Sequence, residues 1–483
     1  MTVRNALLWS FGGQLASVLA LVVALVVLAR LLTPEEMGIF AIGQATYGLL
    51  ISIAALGMGS YILRERELDR ETLGTAFAIN LVLSILLAVG IYFAAPALSA
   101  QIGDERIVPV MRLIAIAPII GAFELLPSSL LQRELKFHKL AILTIIRGTV
   151  NTAVAIAAVL AGFPLMAVAF AAVAASAATA LAANMLAPQS LVFARSAAHL
   201  RPMAVFGLKT LAVSGISVAA MRLADPVMAI VLGLAALGIY SRASTIFSAI
   251  YGNVFAAFSR VLLARLADEK RTAGHLDTVY LEGLRAILAI MWPVMLGIAV
   301  LSFPVVEIAF GPEWRGAAMP LAILMAAQAL SMTYALHSEL FILQDRVGTQ
   351  TGFEAVRASA GLALFAIGCQ FGLEGAAMAR VLEILLACLF YIPFVLRLSG
   401  AAATDYVAVL VRALVPTALA IAPAALLMAY RGWAFDVPPL ELAAAIALGA
   451  LLWLGSLLAT KHPVARGLLD LLSSIRTRVS PRD

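Results

Sequence analysis

The chain has 483 residues, 63% of them hydrophobic and only 12% charged, with a formal net charge of +6 and a mean hydropathy of +1.02. Soluble domains carry roughly 25% charged and about 45–50% apolar residues, so this balance excludes an ordinary soluble protein. The apolar residues fall in runs near the ~20 that cross a bilayer as a helix, without the ~10-residue dyad alternation of an outer-membrane barrel. The cations lie in short loops between these runs, which excludes a nucleic-acid-binding patch.

The first run, 6–32, is longer than the roughly 7–15 residues of a signal-peptide core and is read as a retained span. Thr33-Pro34-Glu35-Glu36 then caps span two, 38–63. Thr33 suits the N-cap, Pro34 the first helical position, and the two carboxylates face the positive helix end. Gly38 permits a close helix contact. Spans three to six follow at 73–98, 108–131, 140–161 and 165–186. The connection 187–202, with Arg195, His199 and Arg201, is read either as a helix on the membrane surface or as a plain linker. Spans seven to twelve occupy 205–232, 238–263, 280–306, 317–340, 352–369 and 374–396; two more follow at 407–428 and 440–460.

The chain repeats itself. Gly238-Ile239-Tyr240 stands 200 residues after Gly38-Ile39-Phe40, again between two apolar runs. Arg147 and Gly162 bracket span five as Arg357 and Gly372 bracket span eleven, each pair 15 residues apart and the pairs offset by 210. The expectation is an all-α polytopic membrane protein of about 14 transmembrane helices. It is organised as two pseudo-symmetric six-helix lobes plus two C-terminal helices. The divisions are 1–186 for the N-lobe, 187–202 for a cytoplasmic linker, 203–397 for the C-lobe, 398–460 for the last two spans and 461–483 for a basic tail. One set of loops holds roughly twenty Lys and Arg; the other, with Arg30, Arg106, Arg112, Arg242, Arg315 and Arg431, holds roughly six. That places both termini in the cytoplasm.

Seven cations are left within spans: Arg147, Lys209, Arg222, Arg285, Arg357, Arg380 and Arg412. A cation near the bilayer centre costs at least ~2.5 kcal/mol, so it faces a cavity or a partner. Lys209, Arg285 and Arg412 lie about one turn inside a cytoplasmic end and can snorkel. Arg222 lies roughly 25 Å along span seven at 1.5 Å per residue. Asp225 is on the same face, followed by Pro226. This is either a self-neutralised pair or a cation that takes an anion when Asp225 holds a proton or another partner. Glu354 stands three residues before Arg357 and Glu383 three after Arg380, whereas Arg147 has no acid within a turn. Glu124 and Glu339, in spans four and ten, are candidate partners of these arginines or proton carriers.

Other chemistries lack their parts. Cys369 and Cys388 are the only cysteines, without metal-ligand spacing, and are read as core- or lipid-facing thiols. No phosphate loop with Lys-Ser/Thr occurs, so no nucleotide or other cofactor is expected. The five histidines assemble no nucleophile–base pair, and no outside loop is long enough for a catalytic domain. The chain reads as a conduit rather than an enzyme.

Four stretches resemble a known family. Arg30-Leu31-Leu32-Thr33-Pro34-Glu35-Glu36-Met37-Gly38-Ile39-Phe40 is similar to its first outside turn, and Leu130-Leu131-Gln132-Arg133-Glu134-Leu135-Lys136-Phe137 to its loop between spans four and five. Leu237-Gly238-Ile239-Tyr240 opens span eight, and Phe310-Gly311-Pro312-Glu313-Trp314 is similar to the loop after span nine. In order and spacing the chain resembles the polysaccharide and oligosaccharide flippases of the multidrug/oligosaccharidyl-lipid/polysaccharide (MOP) superfamily. Ser259-Arg260 departs from the family's pattern, where a proline is expected.

The resemblance implies two lobes around a cation-rich cavity that opens to each side in turn. It implies a polyprenyl-diphosphate-linked oligosaccharide as cargo, with membrane lipids, a polymerase and export machinery as partners. On that basis Arg222, Arg147, Arg357, Arg380 and Lys209 are the substrate-binding candidates. Asp225 and Glu124 are the ion-coupling candidates, and Thr33, Pro34, Gly38 and Gly238 form the gate. The last two spans would form a groove for the lipid tail. The alternatives are a cation-coupled drug antiporter of the same superfamily, which needs an acidic cavity, and a membrane polymerase or glycosyltransferase, which needs a large catalytic loop.

Overall fold

The computed structural model describes residues 25–55, 57–65, 68–188, 200–250, 255–272, 274–462 and 464–465. The chain is an all-α polytopic membrane protein, with no strand among the described residues. Eleven helices there are long and apolar enough to cross a membrane. They correspond to spans two to six and nine to fourteen of the fourteen expected. Span one falls mostly outside the described residues, and span eight contains positions that do. Most of 187–202 also lies outside them, including the stretch read as a surface helix.

The turn before span two (Pro34–Arg64) closes as its sequence directs. The Thr33 amide donates to Glu36 Oε2 at 2.9 Å, and the Glu36 amide donates to Thr33 Oγ1 at 3.3 Å. This reciprocal capping satisfies two donors that a helix start leaves unpaired. The 210-residue repeat appears in the backbone itself. Leu135 and Asp345 both have positive φ, 56° and 55°, as do Gly162 and Gly372, at 86° and 83°. Leu135 occupies a conformation that bulky L-residues adopt at a cost, whereas aspartate, at 345, tolerates it. The two mark the same turn in the two copies, after span four and after span ten.

By contacts the chain divides into two units. The first comprises Met1–Thr245 with Glu354–Leu373. Here span six (Ala167–Leu186) buries Ala167, Ala169, Ala171, Ala172, Ala175, Ala180 and Ala183. Small side chains let neighbouring helix backbones approach closely, which is what drives helix association in lipid. Spans four (Ile107–Arg133) and five (Phe137–Leu160) pack against it. A second cluster joins Met58, Ile62, Phe77, Leu126 and Met203 from spans two, three, four and seven. Span seven (Leu200–Leu232) runs unbroken through Pro226.

The second unit comprises Ile246–Phe353 with Glu374–Asp483. Its core gathers Leu266, Tyr280, Leu284, Leu288, Trp292, Leu336, Leu340 and Tyr406. Spans thirteen (Ala403–Tyr430) and fourteen (Pro439–Ala459) pack on each other, and thirteen packs on span nine (Leu276–Val300). Although outside the repeat, span thirteen contributes Tyr406 and Ala413 to this core, and span fourteen packs Leu457 against Ala289 of span nine.

Span ten (Pro312–Leu343) is broken. Its α-helix Ala318–Ser331 passes into a 3-10 turn, Met332–Tyr334, and restarts at His337. Leu336 takes the left-handed conformation, φ 64°, at the break. Carbonyls released there find donors elsewhere: Trp292 Nε1 donates to the Ala329 carbonyl at 2.7 Å, and Tyr406 Oη to that of Thr333 at 2.9 Å. A break without such donors would strand buried acceptors in an apolar medium.

Candidate functional site

The proposed gate residues meet in the first unit. A Cβ added to Gly38 would stand 2.0 Å from the Leu234 carbonyl oxygen, and one added to Gly238 1.8 Å from that of Pro34. The starts of spans two and eight therefore cross backbone against backbone, each glycine fitting under the other copy's helix. Only glycine permits this approach, in which Cα–H groups face carbonyl oxygens. At the same helix ends, Arg106 Nη2 reaches Glu35 and Asp104, each at 2.6 Å. Hydrogen bonds from Arg106 hold the Asp104 carboxyl below its ordinary value.

The five substrate-binding candidates fare differently. Arg147 on span five binds Glu124 on span four, which also accepts from Ser128 Oγ at 3.4 Å. Arg357 pairs with Glu354 at 2.7 Å and Arg380 with Glu383 at 2.6 Å, as their spacing suggests. The Lys209 side chain falls outside the described residues. Arg222 forms no salt bridge to Asp225; its guanidinium instead lies against span two, where a Cβ on Gly48 would stand 2.4 Å from Cζ. Among the described residues Arg222 has no ion pair.

Arg242 was misplaced by the sequence. Counted there among the outer loop cations, it lies within the helix Leu234–Ile250. It is only 7% exposed, and its Nε finds no hydrogen-bond partner. The available signal was its spacing: Arg242 follows Gly238 by four residues, on the face that crosses span two. Sequence also left Glu339 unresolved. It is 6% exposed and accepts from Ser259 Oγ. No group of His, Cys, Asp and Glu among the described residues could hold a metal ion.

Apolar helices long enough to cross a membrane, carrying charged side chains within them, define a multi-pass membrane protein. Known proteins place it more narrowly. The family described as polysaccharide biosynthesis protein matches residues 27–319, more than half of the chain, and the chain belongs to that family. It is 24% identical over 342 residues to the succinoglycan biosynthesis transport protein ExoT of Rhizobium meliloti (strain 1021), covering 68% of this chain and 67% of that protein. It is 22% identical over 401 residues to the lipopolysaccharide biosynthesis protein WzxC of Escherichia coli (strain K12), covering 80% and 79%. Among solved structures, the lipid II flippase MurJ in an inward closed conformation aligns with a TM-score of 0.75 at 13% identity, covering 94% of this chain and 98% of that one. An inward-facing multidrug resistance transporter of the MATE family, in the MOP superfamily, aligns at 0.55 and 18% identity, covering 83% and 97%. These structures share the fold. ExoT is named a transport protein, MurJ a flippase and the MATE protein a transporter, in keeping with the conduit read from the sequence.

Proposed function

We propose that the protein is a flippase for polyprenyl-diphosphate-linked oligosaccharide repeat units, moving them from the cytoplasmic to the periplasmic leaflet of a bacterial inner membrane by alternating access. The movement supplies polysaccharide export: exopolysaccharide, capsule or O-antigen. The observation that carries this reading is the contrast among the deep arginines. Arg147, Arg357 and Arg380 each hold a carboxylate. Arg222 has none among the described residues, and Arg242 is buried with its Nε unmatched. A buried guanidinium without an acceptor is costly, and a diphosphate supplies paired acceptors of matching charge and geometry.

Arg222 and Arg242 take the diphosphate first. Arg147 exchanges Glu124 for it as a second step, with Arg357 and Lys209 as further contacts. Glu124, once released, and Asp225 are the groups that could take up a coupling ion. The crossing at Gly38 and Gly238, with the Thr33-Pro34 turn, closes the periplasmic side and separates on release. Both termini face the cytoplasm, and a polymerase with export machinery consumes the product. A drug antiporter would need free carboxylates, and here Glu124, Glu354 and Glu383 are occupied by arginines.

The test is the sidedness of a labelled polyprenyl-diphosphate oligosaccharide in proteoliposomes. Wild-type protein moves label to the far leaflet. Arg222→Ala and Arg242→Ala each lower the initial rate about tenfold or more while inserting normally. Export of a cationic dye without lipid movement would transfer the protein to the antiporter class.

A further inference from the structure

The first half of span two carries three glycines five residues apart: Gly38, Gly43 and Gly48. Five residues turn an α-helix by roughly 500°, so each successive glycine is rotated about 140° from the last. The three therefore open on different faces, and different groups fill them. Gly38 receives the backbone at Leu234, and Gly43 the side chains of Val168 and Ile114. Gly48 receives a charge: its added Cβ would lie 2.4 Å from Arg222 Cζ and 2.7 Å from both Nη atoms. Three guanidinium atoms at similar distance mean that the plane of the group lies against bare helix backbone. The Gly48 carbonyl does not compete for its protons. It already accepts Ser52 Oγ at 2.7 Å in addition to its helical bond, so both lone pairs are used. The neighbouring Tyr47 hydroxyl is engaged with Ser176 at 3.2 Å.

We infer that Gly48 is a positioning residue, a seat that holds the Arg222 guanidinium flat against span two with its N–H groups unspent, and so sets the affinity for the diphosphate head group. The inference rests on the flippase reading. A methyl group at position 48 occupies the seat. Because the displaced atoms are the far end of a flexible side chain, the guanidinium swings away and the helices stay packed.

The test uses full-length protein in proteoliposomes bearing Gly48→Ala, Arg222→Ala, both changes together, and each position-48 residue combined with Arg222→Lys. Gly48→Ala raises the half-saturating concentration of polyprenyl-diphosphate oligosaccharide about tenfold and changes the maximal rate less. The double variant is no worse than Arg222→Ala, since both changes remove one interaction. Gly48→Ala costs less when lysine, with its slimmer ammonium, stands at 222. A second arm needs no substrate: the rate at which phenylglyoxal modifies Arg222, followed by mass spectrometry, changes severalfold in Gly48→Ala.

Normal half-saturation in Gly48→Ala, or a double variant showing the product of the two single losses, overturns the positioning role. An unchanged modification rate overturns the seat. Wild-type protein that moves no lipid overturns the flippase reading, while the modification arm still decides whether Gly48 seats Arg222.

Discussion

In the first copy of the repeat, Arg147 on span five reaches across to Glu124 on span four. In the second copy, Arg357, 210 residues later, turns back to Glu354 on its own helix. The position equivalent to Glu124 holds Tyr334, whose ring stacks on Tyr391 with centroids 5.3 Å apart. Span four continues as a helix from Ala117 to Arg133 through Pro127. Span ten breaks at the equivalent depth with no proline between 321 and 343. Turns that are local in origin, at Leu135/Asp345 and Gly162/Gly372, have kept the same geometry in both copies. Contacts between helices have not. After a duplication, backbone punctuation persists because each turn is specified by a few adjacent residues, whereas pairs across helices can be rewired by a single exchange.

The crossing of spans two and eight is where the copies remain most alike, and breaking it should have the largest effect. Gly38→Ala and Gly238→Ala each force backbones apart. Each should cost about 1–3 kcal/mol in detergent unfolding, and the two losses should be similar. The double variant should fall short of their sum, because both changes remove one contact. Two unequal, additive losses would show that the crossing is not reciprocal.

The ion pairs come next and sharpen the difference. Glu124→Ala leaves Arg147 without its partner between helices and should cost about 1–2 kcal/mol, less than a fully buried pair because the Arg147 side chain is 37% exposed. Glu354→Ala removes a pair within one helix and should cost about 0.5 kcal/mol. Equal losses in thermal unfolding would erase the distinction between the copies.

The smallest effect is at the turns that Arg106 and Arg315 tie. In the first copy Arg106 ties Glu35 to Asp104, and in the second Arg315 holds Glu307. Asp104 is held below its ordinary 3.8, mainly by hydrogen bonds from Arg106. A carboxyl depressed by folding contributes stability above its unfolded value and loses it as pH falls through the folded one. The Asp104 tie is therefore intact at about pH 5 and weakens only below 3.8, by less than ~1 kcal/mol because Arg106 is exposed. Comparing Asp104→Asn with wild type across that range checks it: the difference should vanish in acid.

Much of this was legible in the sequence because its signals are local. The capped start of span two is written in Thr33, Pro34 and Glu36. The repeat is written in two glycine–arginine intervals, and the Arg357 and Arg380 pairs in three-residue spacings. What was not legible depends on residues far apart in the chain. Arg147 meets a carboxylate 23 residues away. Arg242 reads as an interface cation by its distance from a turn, yet the tight glycine crossing beside it closes that end of the helix to solvent. The break in span ten lies in 329–336, a segment with neither glycine nor proline. It is held open by side chains 37 and 73 residues away.

That break bears on how short this chain could become. Trp453 Nε1 on span fourteen donates to the Ala289 carbonyl on span nine at 2.8 Å, one turn before Trp292 on that helix, and Tyr406 on span thirteen supplies the hydroxyl that Thr333 needs. A protein truncated after Gly400 would lose both donors and leave the interrupted helix with an orphaned carbonyl in its core. The two terminal helices are thus not a detachable accessory. A descendant that dispensed with them would have to heal span ten into a continuous helix, or recruit a hydroxyl from another helix to replace Tyr406.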